Sequence, residues 1–247
     1  MEDPSHAPHA APFTTSQKVY LWLAAIASTC LVVADIVGVK LFHITLYGFT
    51  VEHTTGMLTF PVTFILTDVL NEFYGKKAAR RVVFLSLAMA VLAFIVMNIA
   101  QAMPRLDAPY NVSQESFDQI FGSAKIMYIA SLTAYLVGSL ADIAMFARIK
   151  RLTGGRFVWL RATGSTVISQ FIDSFIVSFV AFSLGRRLFP SPGVEPAPFD
   201  DILKIAATGY TLKFVLAILT TPLIYLIKWA LTRYFGLRPI APEKVIG

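Results

Sequence analysis

Residues 82–103 read VVFLSLAMAVLAFIVMNIAQAM, 22 residues without one charged side chain. A helix rises 1.5 Å per residue, so a run of this length matches the roughly 30 Å hydrocarbon core of a bilayer. Inside lipid, every backbone N–H and C=O must be paired within the chain. The run is the most purely apolar segment of the chain and reads as a spanning helix that faces lipid.

Five further segments of similar character accompany it, giving expected spans at residues 19–42, 56–74, 82–103, 125–146, 163–184 and 202–231. Composition agrees. The 247-residue chain is 56% hydrophobic and only 15% charged, with a mean hydropathy of +0.65. A soluble domain carries about 25% charge. The net charge of +6 would suggest nucleic acid as a partner in a soluble protein, but its placement fits the positive-inside rule better. Lys76, Lys77, Arg80 and Arg81 follow the second segment. Arg148, Lys150, Arg151, Arg156 and Arg161 follow the fourth, and Lys228, Arg233, Arg238 and Lys244 close the chain. These stretches share one side, the cytoplasm, which puts both termini there. Residues 185–201 break the pattern with Arg186 and Arg187, partly offset by Glu195, Asp200 and Asp201.

Residues 1–17 are rich in Pro, His, Ala and Ser and are expected to form a disordered cytoplasmic tail. Residues 18–235 form one six-helix membrane domain, and residues 236–247 a C-terminal tail. The single cysteine, Cys30, excludes an intrachain disulfide and reads as a small packing residue. His6 and His9 belong to the solvated tail. No metal site and no cofactor is expected. Neither G-x-S-x-G nor H-E-x-x-H occurs, so the chain is not expected to be an enzyme. There is no P-loop, so any ATPase would be a partner, for which Ala24 and Ser28 offer a small-residue docking face.

The polar residues inside the apolar segments carry the functional signal. Asp35, Lys40, Asp68, Glu72, Asp142, Asp173 and Lys213 all lie there. A central charge costs about 3 kcal/mol on insertion scales, so seven would cost on the order of 20 kcal/mol at most. Lys40, Glu72 and Asp142 lie near expected helix ends and can reach water. Asp68, Asp173 and Lys213 are deeper and need a wet cavity or a partner.

Residues 60–81, FPVTFILTDVLNEFYGKKAARR, place Asp68 and Glu72 four apart on one helix face, with Thr63, Thr67 and Asn71 beside them. Thr166, Ser169, Gln170, Asp173 and Ser174 form a similar stripe in the fifth segment, and the sixth adds Tyr210 and Lys213. The alternative reading of these two residues is a salt bridge, from Glu72 to the nearby basic loop and from Lys213 to a carboxylate, and the second is compatible with transport. A carboxylate accepts two adjacent N–H donors, the pattern on one edge of guanine. Gln supplies both a donor and an acceptor, and Phe60, Phe64, Phe171, Phe175 and Tyr210 offer faces for a flat ring. A planar heterocycle, a cation and a proton-coupled substrate all fit this chemistry.

Three stretches resemble a known family: FPVTFILTDVLNEFYGKKAARR, LTGGRFVWLRATGSTVISQFIDS over residues 152–174, and GYTLKFVLAILTTPLIY over residues 209–225. The chain resembles the queuosine precursor transporters, also called vitamin uptake transporters. The resemblance covers nearly everything after the N-terminal tail. It implies an all-α, six-helix carrier of the inner membrane for 7-deazaguanine compounds, with a layout similar to the substrate-binding components of energy-coupling-factor vitamin transporters. It carries over to Asp68, Glu72, Tyr74, Gly75, Trp159, Arg161, Ser169, Gln170, Asp173, Lys213 and Pro222. One departure is Asp35, where the family usually has Asn before Lys40. The expected substrate site is thus Asp68, Asn71, Glu72, Ser169, Gln170, Asp173, Tyr210 and Lys213. The expected partners are a purine-like small molecule, the lipid bilayer and a second copy in a homodimer, with no nucleic acid. The alternative function is a substrate-binding subunit of a multi-component vitamin importer.

Overall fold

A computed structural model describes residues 12–38, 40–46, 49–121, 125–184, 187 and 196–241. His6, His9, Arg186 and Lys244 lie outside these residues. In chain order the elements are α1 (Thr15–Val37), β1 (Leu41–Leu46), β2 (Phe49–Thr54), a 3-10 turn (Thr55–Thr59), α2 (Phe60–Phe73), α3 (Gly75–Ala102), α4 (Gln114–Phe121), α5 (Lys125–Leu152), α6 (Val158–Phe179), a π turn (Val180–Leu184) and α7 (Phe199–Phe235).

The first helix starts earlier than its hydropathy suggests because Thr14 caps it. Gln17 donates its backbone N–H to Thr14 Oγ1 at 3.3 Å, and Thr14 donates its own to Gln17 Oε1 at 2.9 Å. Basic side chains extend the other helices beyond the expected ends. Lys150 and Arg151 lie in the last turn of α5, and Arg233 in that of α7, where cations favour the helix terminus. Helix α7 continues through Pro222.

Five helices among the described residues are long and apolar enough to cross a membrane: α1, α3, most of α5, α6 with its π turn, and α7. The expected second span is different. It divides into the 3-10 turn and the 14-residue α2, only about 21 Å long. The fold is that of an all-α membrane protein with one addition: residues 41–46 and 49–54 pair as antiparallel strands, with Phe42 opposite His53 and Ile44 opposite Val51.

Short α2 sits at the centre of the bundle. Leu66 and Leu70 on one side pack with Ala24 and Ala27 of α1, Ala79, Val82 and Val83 of α3, and Ile143 of α5. Ile65, Val69 and Phe73 on the other side pack with Phe146 of α5, Ala162 of α6, and Ile224 and Leu231 of α7. The two stripes are offset by one residue and repeat every four, as a helix buried on both sides requires. Outward, Phe84, Leu92, Ile95, Val96 and Ile99 of α3 are exposed, an apolar patch that lipid would cover.

Helix ends gather by sequence-distant contacts. Tyr74, in the α2–α3 turn, donates its hydroxyl to Ser16 O at 2.9 Å, and Tyr20 donates to Ala78 O at 3.1 Å. Gly75 allows that turn, with φ of 79°. The start of α1, the α2–α3 turn, the end of α5, the start of α6 and the end of α7 therefore lie together. The six principal helices alternate in direction. The face expected to dock an ATPase is occupied within the chain: Ala24 is buried, and the Ser28 and Ser86 hydroxyls lie 3.0 Å apart between α1 and α3.

Candidate functional site

Two cavities flank α2, and the polar residues of the interior divide between them. The larger, about 60 Å³, lies among α1, α2, α3, α5 and α6. Its α2 wall carries Phe60, Thr63, Phe64 and Thr67. Both threonines donate back into their own helix, Thr63 to Phe60 O and Thr67 to Thr63 O, each at 2.9 Å. Their oxygens are left to accept. The Phe60 and Phe64 rings lie nearly parallel with centroids 6.0 Å apart. The opposite wall is Tyr135, Ser139 and Asp142 of α5 with Gln170 and Asp173 of α6. Gln170 Oε1 is buried without a hydrogen-bond partner.

Asp173 is ion-paired. Lys213 of α7 donates to its Oδ2, and the same ammonium lies 4.7 Å from the Phe60 ring centroid, a cation–π contact. One lysine thus ties α7 to α6 and α2 at the edge of the cavity. Asp142 accepts from Ser169 at 3.1 Å, so Ser169 stands behind the wall and holds a wall residue.

The smaller cavity, about 10 Å³, is bordered by Asp68, Glu72, Phe73, Phe146 and Lys228, among others. Glu72 is caged. Arg161 Nη2 donates to its Oε1 at 2.6 Å, Lys228 Nζ to the same oxygen at 2.9 Å, and Lys150 Nζ to Oε2 at 2.9 Å. The backbone N–H of Ile240 donates to Glu72 O at 2.9 Å, so the segment after α7 closes over the same point. Asp68 Oδ1 and both side-chain polar atoms of Asn71 are buried with no partner.

Of the residues expected from sequence, Gln170 and Asp173 line the larger cavity and Ser169 and Lys213 support it. Asp68 and Glu72 border the smaller one, and Asn71 is buried beside them. Tyr210 is displaced: it stacks edge-on against Phe171, which is 57% exposed, and is absent from both cavity walls. Phe171 therefore offers no face to the interior. Sequence reasoning placed Asp142 near a helix end, but α5 runs ten residues further, to Leu152, which puts Asp142 about 15 Å inside. Tyr135, Ser139 and Asp142 recur at spacings of four and three, a stripe visible in the sequence but weaker than those of α2 and α6. Asp35 accepts from Ser131 at 2.7 Å and does not pair with Lys40, which is exposed.

Residues 54–227 match the family described as "Putative vitamin uptake transporter". The chain belongs to this family. Among curated relatives, a "Probable queuosine precursor transporter" of Bacillus subtilis (strain 168) is 30% identical over 212 residues, covering 85% of this chain and 83% of that protein. A "Probable queuosine precursor transporter" of Haemophilus influenzae (strain ATCC 51907 / DSM 11121 / KW20 / Rd) is 29% identical over 156 residues, 63% of each chain. The "Queuosine precursor transporter" of Escherichia coli (strain K12) is 27% identical over 167 residues, 67% of this chain and 68% of its own. No solved structure matches the chain. Every residue bordering either cavity except Ala27 and Lys228 falls inside the matched range. The chain is a multi-pass membrane transporter, and its relatives are named as transporters rather than enzymes.

Proposed function

We propose that this protein imports a queuosine precursor, 7-cyano- or 7-aminomethyl-7-deazaguanine, across the inner membrane. In this reading α2 and its preceding turn serve as the sixth crossing, in the layout of the energy-coupling-factor substrate-binding components. Both termini are cytoplasmic, with Lys76, Arg80 and the Glu72 cage at the cytoplasmic end.

The observation that carries the reading is the larger cavity, where Asp142, Gln170 and Asp173 converge on a space walled by the Phe60, Phe64 and Tyr135 rings. Flat rings recognise a flat ring, and carboxylate and amide groups recognise its N–H and C=O edge. At about 60 Å³ the space suits a few waters. A bicyclic ligand takes their place when Phe60, Phe64 and Lys213 shift, and the closed arrangement is the resting state of an alternating-access cycle. The relatives' names supply the substrate class.

The test is binding and uptake by the purified full chain in liposomes. A 7-deazaguanine lacking the exocyclic amine leaves a buried acceptor unpaired and is expected to bind roughly 10⁴-fold more weakly. Equal binding of the two compounds removes the assignment of carboxylates to the guanine edge. Uptake without any added ATPase separates a self-sufficient carrier from a subunit of a larger importer.

A further inference from the structure

We propose that residues 236–241 are the gate at the Glu72 end of the bundle, a strap that caps α2 in this closed arrangement and lifts to let cargo leave. The proposal rests on the cytoplasmic reading of that end and on the cargo proposed above.

The strap is built from local features. Gly236 ends α7 with φ of 66°, the left-handed conformation that glycine takes most readily. The chain then folds back, and Leu237 donates its N–H to Leu231 O at 3.2 Å. The Leu237 side chain packs against the cluster that contains Ile65, Val69 and Phe73 of α2. Three residues on, Ile240 donates its N–H to Glu72 O at 2.9 Å. Glu72 is among the last four residues of α2, whose carbonyls have no partner within their own helix. The strap supplies one. It also fits over the turn beyond: a Cβ built on Gly75 would lie 3.3 Å from Ile240 Cδ1, so a side chain there would press on the strap.

The helix that the strap caps is the common wall of both cavities. Helix α7 clasps it at both ends. At the start of α2, the Lys213 ammonium lies 4.7 Å from the Phe60 ring centroid. At its end, Lys228 and the strap both reach Glu72. Parting α2 from α7 at this end opens a way out of the interior, and the strap must come free first.

The contacts at this end differ in strength. Lys150 and Arg161 hold Glu72 through buried, charge-assisted bonds. Lys228, the α7 member of the cage, has a side chain 28% exposed and parts more readily. Among the described residues, one backbone hydrogen bond joins the strap to α2. Leu237 and Ile240 are half-buried, and Gly236 and Arg238 are exposed. A segment with so few buried contacts opens at small cost, as a lid must in every cycle. The cage keeps α2, α5 and α6 together while the strap and the end of α7 move.

The experiment uses the full chain in liposomes with 7-cyano-7-deazaguanine as cargo, in a Cys30→Ala background carrying Lys76→Cys and Ile240→Cys. A short bis-methanethiosulfonate, added before reconstitution, ties the strap to the turn beside Gly75, and dithiothreitol frees it. The tied chain is expected to lose nearly all uptake and keep the cargo-dependent rise in Tm, and reduction is expected to restore uptake. Uptake by the tied chain at the rate of the free one overturns the proposal. Ile240→Cys alone gives a second measurement. Its thiol should react several-fold faster with a membrane-permeant maleimide during cargo uptake than without cargo. A rate that cargo leaves unchanged overturns the proposal too, even where the cysteine pair fails to fold. An unmodified chain that neither binds nor takes up the cargo overturns the substrate reading and the gate with it.

Discussion

Arg161, at the start of α6, donates through Nη2 to Oε1 of Glu72, near the end of α2, at 2.6 Å across 89 residues of sequence. The Arg161 side chain is 1% exposed and that of Glu72 6%, so water screens the pair little. Removing one partner of a buried pair costs about 3–5 kcal/mol because the other charge is stranded. Glu72→Gln strands Arg161 and Lys150 together, and a loss at the upper end of that range is expected. Lys228 is more exposed, and Lys228→Met should cost about 1 kcal/mol or less. Thermal unfolding of the purified variants gives the ranking. A Glu72→Gln protein as stable as its parent would show that the cage does not hold this end of the bundle together.

The same cluster fixes which helix ends lie together, and so makes the orientation testable. Lys77, in the basic stretch after α2, is exposed, and Tyr110, between α3 and α4, is 87% exposed at the opposite end. In a background with Cys30 replaced, a cysteine at position 110 should react with a membrane-impermeant thiol reagent in intact cells. One at position 77 should react only after permeabilisation. The reverse pattern overturns the cytoplasmic assignment of the termini.

The helical membrane architecture was legible because hydropathy and helical period are local properties. The centrality of residues 60–81 was legible for the same reason: Asp68 and Glu72 on one face signal a helix that lipid cannot surround. What Glu72 binds was not. A salt bridge is one of two readings for it, and its cations, Lys150, Arg161 and Lys228, come from α5, α6 and α7, all three inside helices. Sequence distance hides such pairings. The depth of Asp142 is not legible because a basic run reads as the end of a helix, although Lys and Arg extend helices well. The strand pair at residues 41–46 and 49–54 is hidden because a run without Lys or Arg between two spans reads as a loop. The Phe171 contact of Tyr210 is not legible because a helix position says which stripe a residue lies on, not which neighbour that stripe meets.

Asp173 and Lys213 allow a sharper experiment than either residue alone. Lys213 is 4% exposed, so Asp173→Asn leaves a buried ammonium held only by the Phe60 ring. Stability should fall by about 3–5 kcal/mol, and uptake should be lost. The double change Asp173→Asn/Lys213→Met removes both charges, and most of the stability should return. Uptake should not, because Asn cannot accept two N–H bonds in the charge-assisted, bidentate way of a carboxylate. If the double variant regains both, Asp173 is a counter-ion only and the ligand edge must be sought at Asp142 and Gln170.

Gly138 tests whether the cavity wall itself sets the position of Asp173. A Cβ built on this α5 residue would lie 3.1 Å from Asp173 Cβ and 3.5 Å from Asp173 Oδ1. The first distance is too short to accommodate without movement of a few tenths of an ångström between α5 and α6. Overpacking of this kind costs about 1–3 kcal/mol. Replacing Gly by Ala within a helix returns about 1 kcal/mol of backbone entropy. The two effects partly cancel, so Gly138→Ala should fold with a net loss of about 2 kcal/mol or less. Its effect should appear instead in transport, because the displaced atoms belong to a carboxylate that lines the cavity. We expect weaker cargo binding with little change in Tm for Gly138→Ala, and loss of both for Gly138→Leu, which has no room. Normal cargo affinity in Gly138→Ala would mean that the ligand does not depend on where this wall holds Asp173.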